Sequence, residues 1–77
     1  MIIRRAQTRG ERYAVEVQQV GAGHFRVAEL TRGHECGAFV CNTLSEANAD
    51  FDRIVVDRLR YDRIRLVEWP QNTAVAV

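Results

Sequence analysis

At Thr43 the spacing of apolar residues changes from two to three and four, and this switch limits the chain to folds that pack one helix on a small sheet. Ahead of it, "RYAVEVQQV" (residues 12–20) sends Tyr13, Val15 and Val17 to one side and Ala14, Glu16 and Gln18 to the other, the alternation of a half-buried strand. Gly21-Ala22-Gly23 interrupts it. "HFRVAEL" resumes with Phe25 and Val27 in phase, while Ala28 and Leu30 fall out of phase, as a bulge or a strand buried at one end would give. Arg32-Gly33 marks another turn and "ECGAFVC" completes an antiparallel meander of three strands. Beyond the switch, Leu44, Ala47, Phe51, Ile54, Val55 and Leu59 line one stripe of a helix that runs to Asp62. Thr43 at the N-cap and Glu46 three residues on form a capping box. Glu46, Asp50 and Asp52 in the opening half, with Arg58 and Arg60 at the close, oppose the helix macrodipole favourably.

After the helix, "RIRLVEW" alternates again and stops at Pro70, which has no N–H to extend a ladder. The expectation is a single α+β domain over residues 1–77, of order β-β-β-α-β, with the helix on one face of one small sheet. If the last strand lies parallel to the first or third, the helix is its crossover connection. The expected core is Tyr13, Val15, Val17, Phe25, Val27, Phe51, Ile54, Val55 and Leu59. Residues 71–77 read either as a frayed tail or, from Ala74 to Val77, as an added edge strand. Alternation sends Arg63, Arg65, Val67 and Trp69 to the face the helix does not cover, which is expected to be open to solvent.

A chain of 77 residues hides only roughly 60% of the surface its unfolded form exposes, so it has little room for a deep enclosed pocket. The net charge of +1 argues neither for a polyanionic partner nor for mimicry of one. All eleven basic residues are arginine, whose planar guanidinium suits bidentate contacts, although a GC-rich coding sequence gives the same bias. Three apolar residues precede Arg4-Arg5 and no apolar run of about 7–15 residues follows, which fits no secretory or twin-arginine signal. No stretch approaches the roughly 18 apolar residues of a membrane span. A cytoplasmic chain with two reduced cysteines and no membrane association is expected.

"RGHECGAFVCN" (residues 32–42) carries the only concentration of reactive side chains. Cys36 and Cys41 are five residues apart, an odd spacing that sends them to opposite faces of a strand, so they do not converge on one metal. His34 shares a face with Cys36, and His24 could approach across the hairpin, but no C-x-x-C or H-x-x-x-H pattern supplies a full ligand set. His34 follows a turn and Glu35 falls on the solvated face, so a cysteine nucleophile lacks a built base and an oxyanion site. "GAG" at residues 21–23 lies between two strands rather than at a helix N-terminus and is a hairpin turn, not a phosphate cradle. The expectation is a non-enzymatic chain without cofactor or metal.

Two arginine clusters remain: Arg4, Arg5, Arg9 and Arg12, and Arg58, Arg60, Arg63 and Arg65. Glu11, Asp57 and Asp62 among them offer local ion pairs, and no strand shows the pair of exposed aromatics that sheet-based RNA readers use. A small arginine-rich nucleic-acid-binding or regulatory domain is therefore the alternative, and protein binding the main reading. Trp, Tyr and Arg dominate interface hot spots, which makes Arg58, Arg60, Tyr61, Arg63, Arg65 and Trp69 the expected partner-binding residues; Trp69 equally suits a cap on the core.

A three-strand meander followed by a capped helix in a short arginine-rich chain resembles the small accessory proteins of phages and mobile elements, and among them is similar in style to type I anti-CRISPR proteins. The likeness covers residues 12–60, with "TLSEANADFDRIV" its most typical phrase. The resemblance implies a stoichiometric inhibitor acting in a bacterial host cell on a Cas effector subunit. The balanced charge departs from the acidic, DNA-imitating members and implies an acidic or mixed protein surface as the target.

Overall fold

The structure, a computed structural model, describes residues 1–69; the expectations for residues 71–77 lie outside them. Its elements are β1 (Ile2–Gln7), β2 (Tyr13–Gly21), β3 (His24–Thr31), β4 (His34–Cys41), α1 (Leu44–Asp62) and β5 (Val67–Trp69). They form one sheet in the order β4-β3-β2-β1-β5 with every neighbouring pair antiparallel. The α+β class with one helix on one face holds, with four strands rather than three ahead of the helix. The last strand does run in the direction of β2 and β4, but its bonded neighbour is β1, with Arg5 opposite Trp69 and Gln7 opposite Val67.

The strand missing from the sequence reading is β1, and its composition explains why. On its helix-facing side only Ala6 is an apolar core residue. Arg4 takes the neighbouring position: its guanidinium stacks 4.2 Å from the Phe51 ring centroid and donates to Asn48, Asp52 and Glu68. The flat cation and its alkyl stem cover the core edge as an apolar side chain would. No alternation of apolar letters therefore marks the strand.

Val15, Val17, Phe25, Val27, Phe51 and Ile54 are buried as expected, and Ala6, Cys41, Ala47 and Leu66 join them; Tyr13 and Val55 pack against this cluster partly buried. Leu59 is the exception, at 48% exposed. The helix packs on β2, β3 and β4, so the flank carrying Val56 and Leu59 overhangs the β1–β5 side, where it borders a groove instead of a packed strand.

Thr43 caps the helix by accepting the Glu46 N–H at 3.1 Å, and the Glu46 carboxylate accepts the Asn42 N–H at 3.2 Å, one residue earlier than in the usual capping box. At the other end Arg63 adopts a left-handed conformation (φ 59°, ψ 28°) and the Ile64 N–H donates to the Arg58 carbonyl at 2.9 Å. β3 itself keeps its alternation; the extra residue is Cys36 on β4, unpaired because Glu29 faces Gly37 while Leu30 faces Glu35.

The face away from the helix is not bare. Arg5 pairs with Glu16, Gln18 donates to Glu16 at 2.9 Å, Arg26 donates to Gln18 at 3.1 Å, and Arg26 also pairs with Glu35. This chain of polar partners crosses from β1 to β4 and roofs Ala14, Glu16 and Ala28, all buried. Among the described residues no second layer covers this face, as expected, but long polar side chains close its centre, while Val40 and Val67 at its margins stay exposed.

Candidate partner-binding pole

The same residue type serves two ends in this chain. Arg4, Arg5, Arg26, Arg53 and Arg58 are held in ion pairs. Among the described residues Arg9, Arg12, Arg32, Arg60, Arg63 and Arg65 are in none.

Topology gathers these six at one end of the sheet. Arg9 and Arg12 sit in the β1–β2 connection and Arg32 in the β3–β4 turn, and the Arg32 N–H donates to the Arg12 carbonyl at 2.8 Å. The helix terminus, with Arg60 and Arg63, is fixed to the same end because Arg58 reaches Tyr13 at the start of β2 and Glu29 near the close of β3. Arg65 lies between the helix and β5. The acids at this end are neutralised by other arginines: Glu11 lies 3.9 Å from Arg5, Asp62 and Glu29 are held by Arg58 at 2.8 and 2.7 Å, and Glu35 pairs with Arg26. A net charge of +1 thus conceals a strongly basic pole.

Backbone strain collects here as well. Glu11, Arg32 and Arg63 have φ of 58°, 53° and 59°, the only non-glycine residues at positive φ among those described. Each costs about 1–2 kcal/mol relative to a right-handed conformation. Two of the three are unpaired arginines.

Beside the pole runs a groove of about 530 Å³ between the helix and β5, lined by Val55, Val56, Leu59, Leu66 and Val67, with Arg65 and the ion-paired Arg4, Asp52 and Glu68 among its walls. Tyr61, 70% exposed, stands in the last turn of the helix between Arg60 and the Arg63 cap. Within the trough Arg4 and Arg65 are balanced by Asp52 and Glu68, and the excess of cations lies at the adjoining pole, an arrangement that suits an apolar segment carrying carboxylates at its pole end.

Of the six residues expected to bind a partner, Arg60, Tyr61, Arg63 and Arg65 are exposed. Arg58 is held internally. Its Nε donates to the Tyr13 hydroxyl at 3.0 Å, its Nη2 to Glu29 at 2.7 Å and its Nη1 to Asp62 at 2.8 Å, while the Tyr13 hydroxyl donates to Glu29. Hydrogen bonding to Tyr13, then to Glu29, holds the Arg58 guanidinium charged. Burial, seconded by the hydrogen bond to Glu29 and opposed by Arg58, pushes the Tyr13 hydroxyl up to about 12. Burial opposes the charge on Glu29, but the hydrogen bonds from Tyr13 and Arg58 outweigh it and hold the carboxyl below its ordinary value. Trp69 is placed on β5 opposite Arg5, and its side chain lies outside the described residues.

The first arginine cluster is split by the fold. Arg4 and Arg5 brace the two faces of the sheet, whereas Arg9 and Arg12, together with Arg32, belong to the pole. The Arg32-Gly33 turn was legible, but the turn carrying Arg9 and Arg12, and the meeting of both with the helix end, depend on β1 and on the sheet order. Neither cysteine builds a site with its neighbours. Cys36 Sγ donates to the Glu29 carbonyl at 3.4 Å, and burial, then the hydrogen bond to Asp50, pushes the Cys41 thiol up. Among the described residues no three His, Cys, Asp or Glu side chains cluster as metal ligands. Among the described residues no helix is long and apolar enough to cross a membrane. The chain matches no protein-family model, no curated protein and no solved structure.

Proposed function

We propose that the chain is a non-enzymatic protein-binding module whose basic pole and adjoining groove take an acidic, apolar segment of a partner protein. The observation that carries this reading is the continuity of an apolar trough with unpaired arginines: Leu59, Val56 and Val67 would seat apolar side chains while Arg65, Arg63 and Arg60 meet carboxylates. A nucleic acid would use the arginines but leave the trough unused, and among the described side chains the uncovered sheet face, roofed by Arg5, Gln18 and Arg26, offers no aromatic platform for bases. A Cas effector subunit, the partner implied by the resemblance, is one candidate source of such a segment.

The test measures binding of peptides that combine Leu or Phe with Asp or Glu, beside versions with the acids replaced by Lys, and of duplex and single-stranded oligonucleotides. The acidic apolar peptides are expected to bind, to lose at least tenfold in affinity with Arg60→Glu/Arg63→Glu, and to lose affinity with Leu59→Ser. Oligonucleotide binding that falls steeply with salt and ignores Leu59→Ser would replace this reading with the nucleic-acid one.

A further inference from the structure

We infer that β4 is a self-association edge, pairing antiparallel with β4 of a second copy to join two sheets into one of ten strands. This goes beyond the binding role of the pole and, Arg32 apart, rests on other residues.

The two sheet edges differ. β5 has three described residues, includes Glu68, and is followed in sequence by Pro70, all of which blunt an edge. β4 has eight residues, and the stretch 37–41, Gly-Ala-Phe-Val-Cys, contains neither a charge nor a proline. Phe39 and Val40 project to opposite faces at 46% and 75% exposed, so both sides of this edge are apolar. Among the described residues β3 is its only strand partner. An uncharged, proline-free edge of this kind is a template for another strand over its five residues.

A second copy is the occupant because the edge complements itself. The bulge at Cys36 disrupts the ladder at the start of β4, so regular pairing is confined to 37–41. The longest symmetric register within that window is centred on Phe39, placing Phe39 opposite its own counterpart and Ala38 opposite Val40 of the second copy. Direct aromatic pairs across antiparallel strands are favourable. Charge selects the same orientation. The His34 end of β4 adjoins Arg32, and the Cys41 end leads into exposed Glu46 in the first turn of the helix. Antiparallel pairing sets Arg32 near Glu46 of the other copy, whereas parallel pairing would set Arg32 against Arg32. A two-fold contact of this type closes on itself and stops at a dimer.

The edge is short beside a standard protein interface, so the dimer is expected to form reversibly with concentration. Sedimentation of the full chain from micromolar to millimolar concentration tests this. The apparent mass should rise towards twice the monomer; Val40→Lys should remain monomeric with an unchanged melting temperature; Val20→Lys, at an exposed apolar position away from the edge, should associate as the parent does. A parent chain monomeric throughout, or association unaffected by Val40→Lys, would overturn the inference. So would association lost equally in both variants, which would indicate indiscriminate apolar contact.

Discussion

The paired arginines and the arginines of the pole are chemically identical, and their contrast separates what holds this fold from what it presents. Arg5 reaches Glu16, which is 3% exposed, and Arg58 reaches Glu29 from across the helix–sheet boundary. With one sheet and one helix among the described residues, the chain uses arginine stems and guanidinium groups to close the edges and back of its core. At the pole the same side chain has no ion-pair partner among the described residues, and two of its copies sit on backbone that glycine would occupy at lower cost. Charge placed internally answers to a carboxylate; charge held outward at a conformational cost is what the proposed function assigns to an external one.

Removing a paired arginine should break this comparison most visibly. Arg5→Ala leaves Glu16 buried without its cation and is expected to cost about 3–5 kcal/mol, read from chemical denaturation. A loss within experimental scatter would mean that the polar roof contributes little. Arg58→Ala should cost about 1.5–3 kcal/mol, since Arg58 is partly exposed and its bonds to Glu29 and Tyr13 are screened more than those of Arg5.

pH sharpens the same distinction. Because the Glu29 carboxyl is held below its ordinary value, its contribution is present above the usual carboxylate range and fades as pH falls through the folded value. Acid unfolding should therefore be less steep in Glu29→Gln. Tyr13 works in the opposite direction: with the hydroxyl pushed up to about 12, its contribution is complete below about pH 10 and is lost as pH rises towards the folded value. Absorbance titration of Tyr61→Phe, in which Tyr13 is the only tyrosine, should give a midpoint near 12 rather than near 10.

Much of this division was hidden in the sequence for physical reasons. The meander, the helix with its Thr43 cap and most of the core follow from periodicities that burial imposes. β1 does not, because Arg4 fills a core-facing position and conceals the period of two. Leu59 obeys the helical period yet faces the groove, because the helix lies towards one side of the sheet. The meeting of Arg9, Arg12 and Arg32 with the helix end is a product of strand order, which no local spacing encodes.

The smallest expected change in stability falls at the pole. Arg60→Glu should leave the unfolding free energy within about 0.5 kcal/mol of the parent, as surface changes usually do. Arg63→Gly should gain about 1 kcal/mol by removing the left-handed arginine, while weakening peptide binding. A destabilised Arg63→Gly would show that the Arg63 side chain supports the fold, contrary to its place among the outward arginines.

The most direct test of the central claim is the backbone amide footprint of an acidic apolar peptide on the isotopically labelled chain. Shifts are predicted over residues 55–67 and in the turns at 9–12 and 32–33, with the polar roof around Glu16, Gln18 and Arg26 unmoved. A footprint centred on that roof, or peptide binding that leaves Leu59, Arg63 and Arg65 undisturbed, would contradict the account.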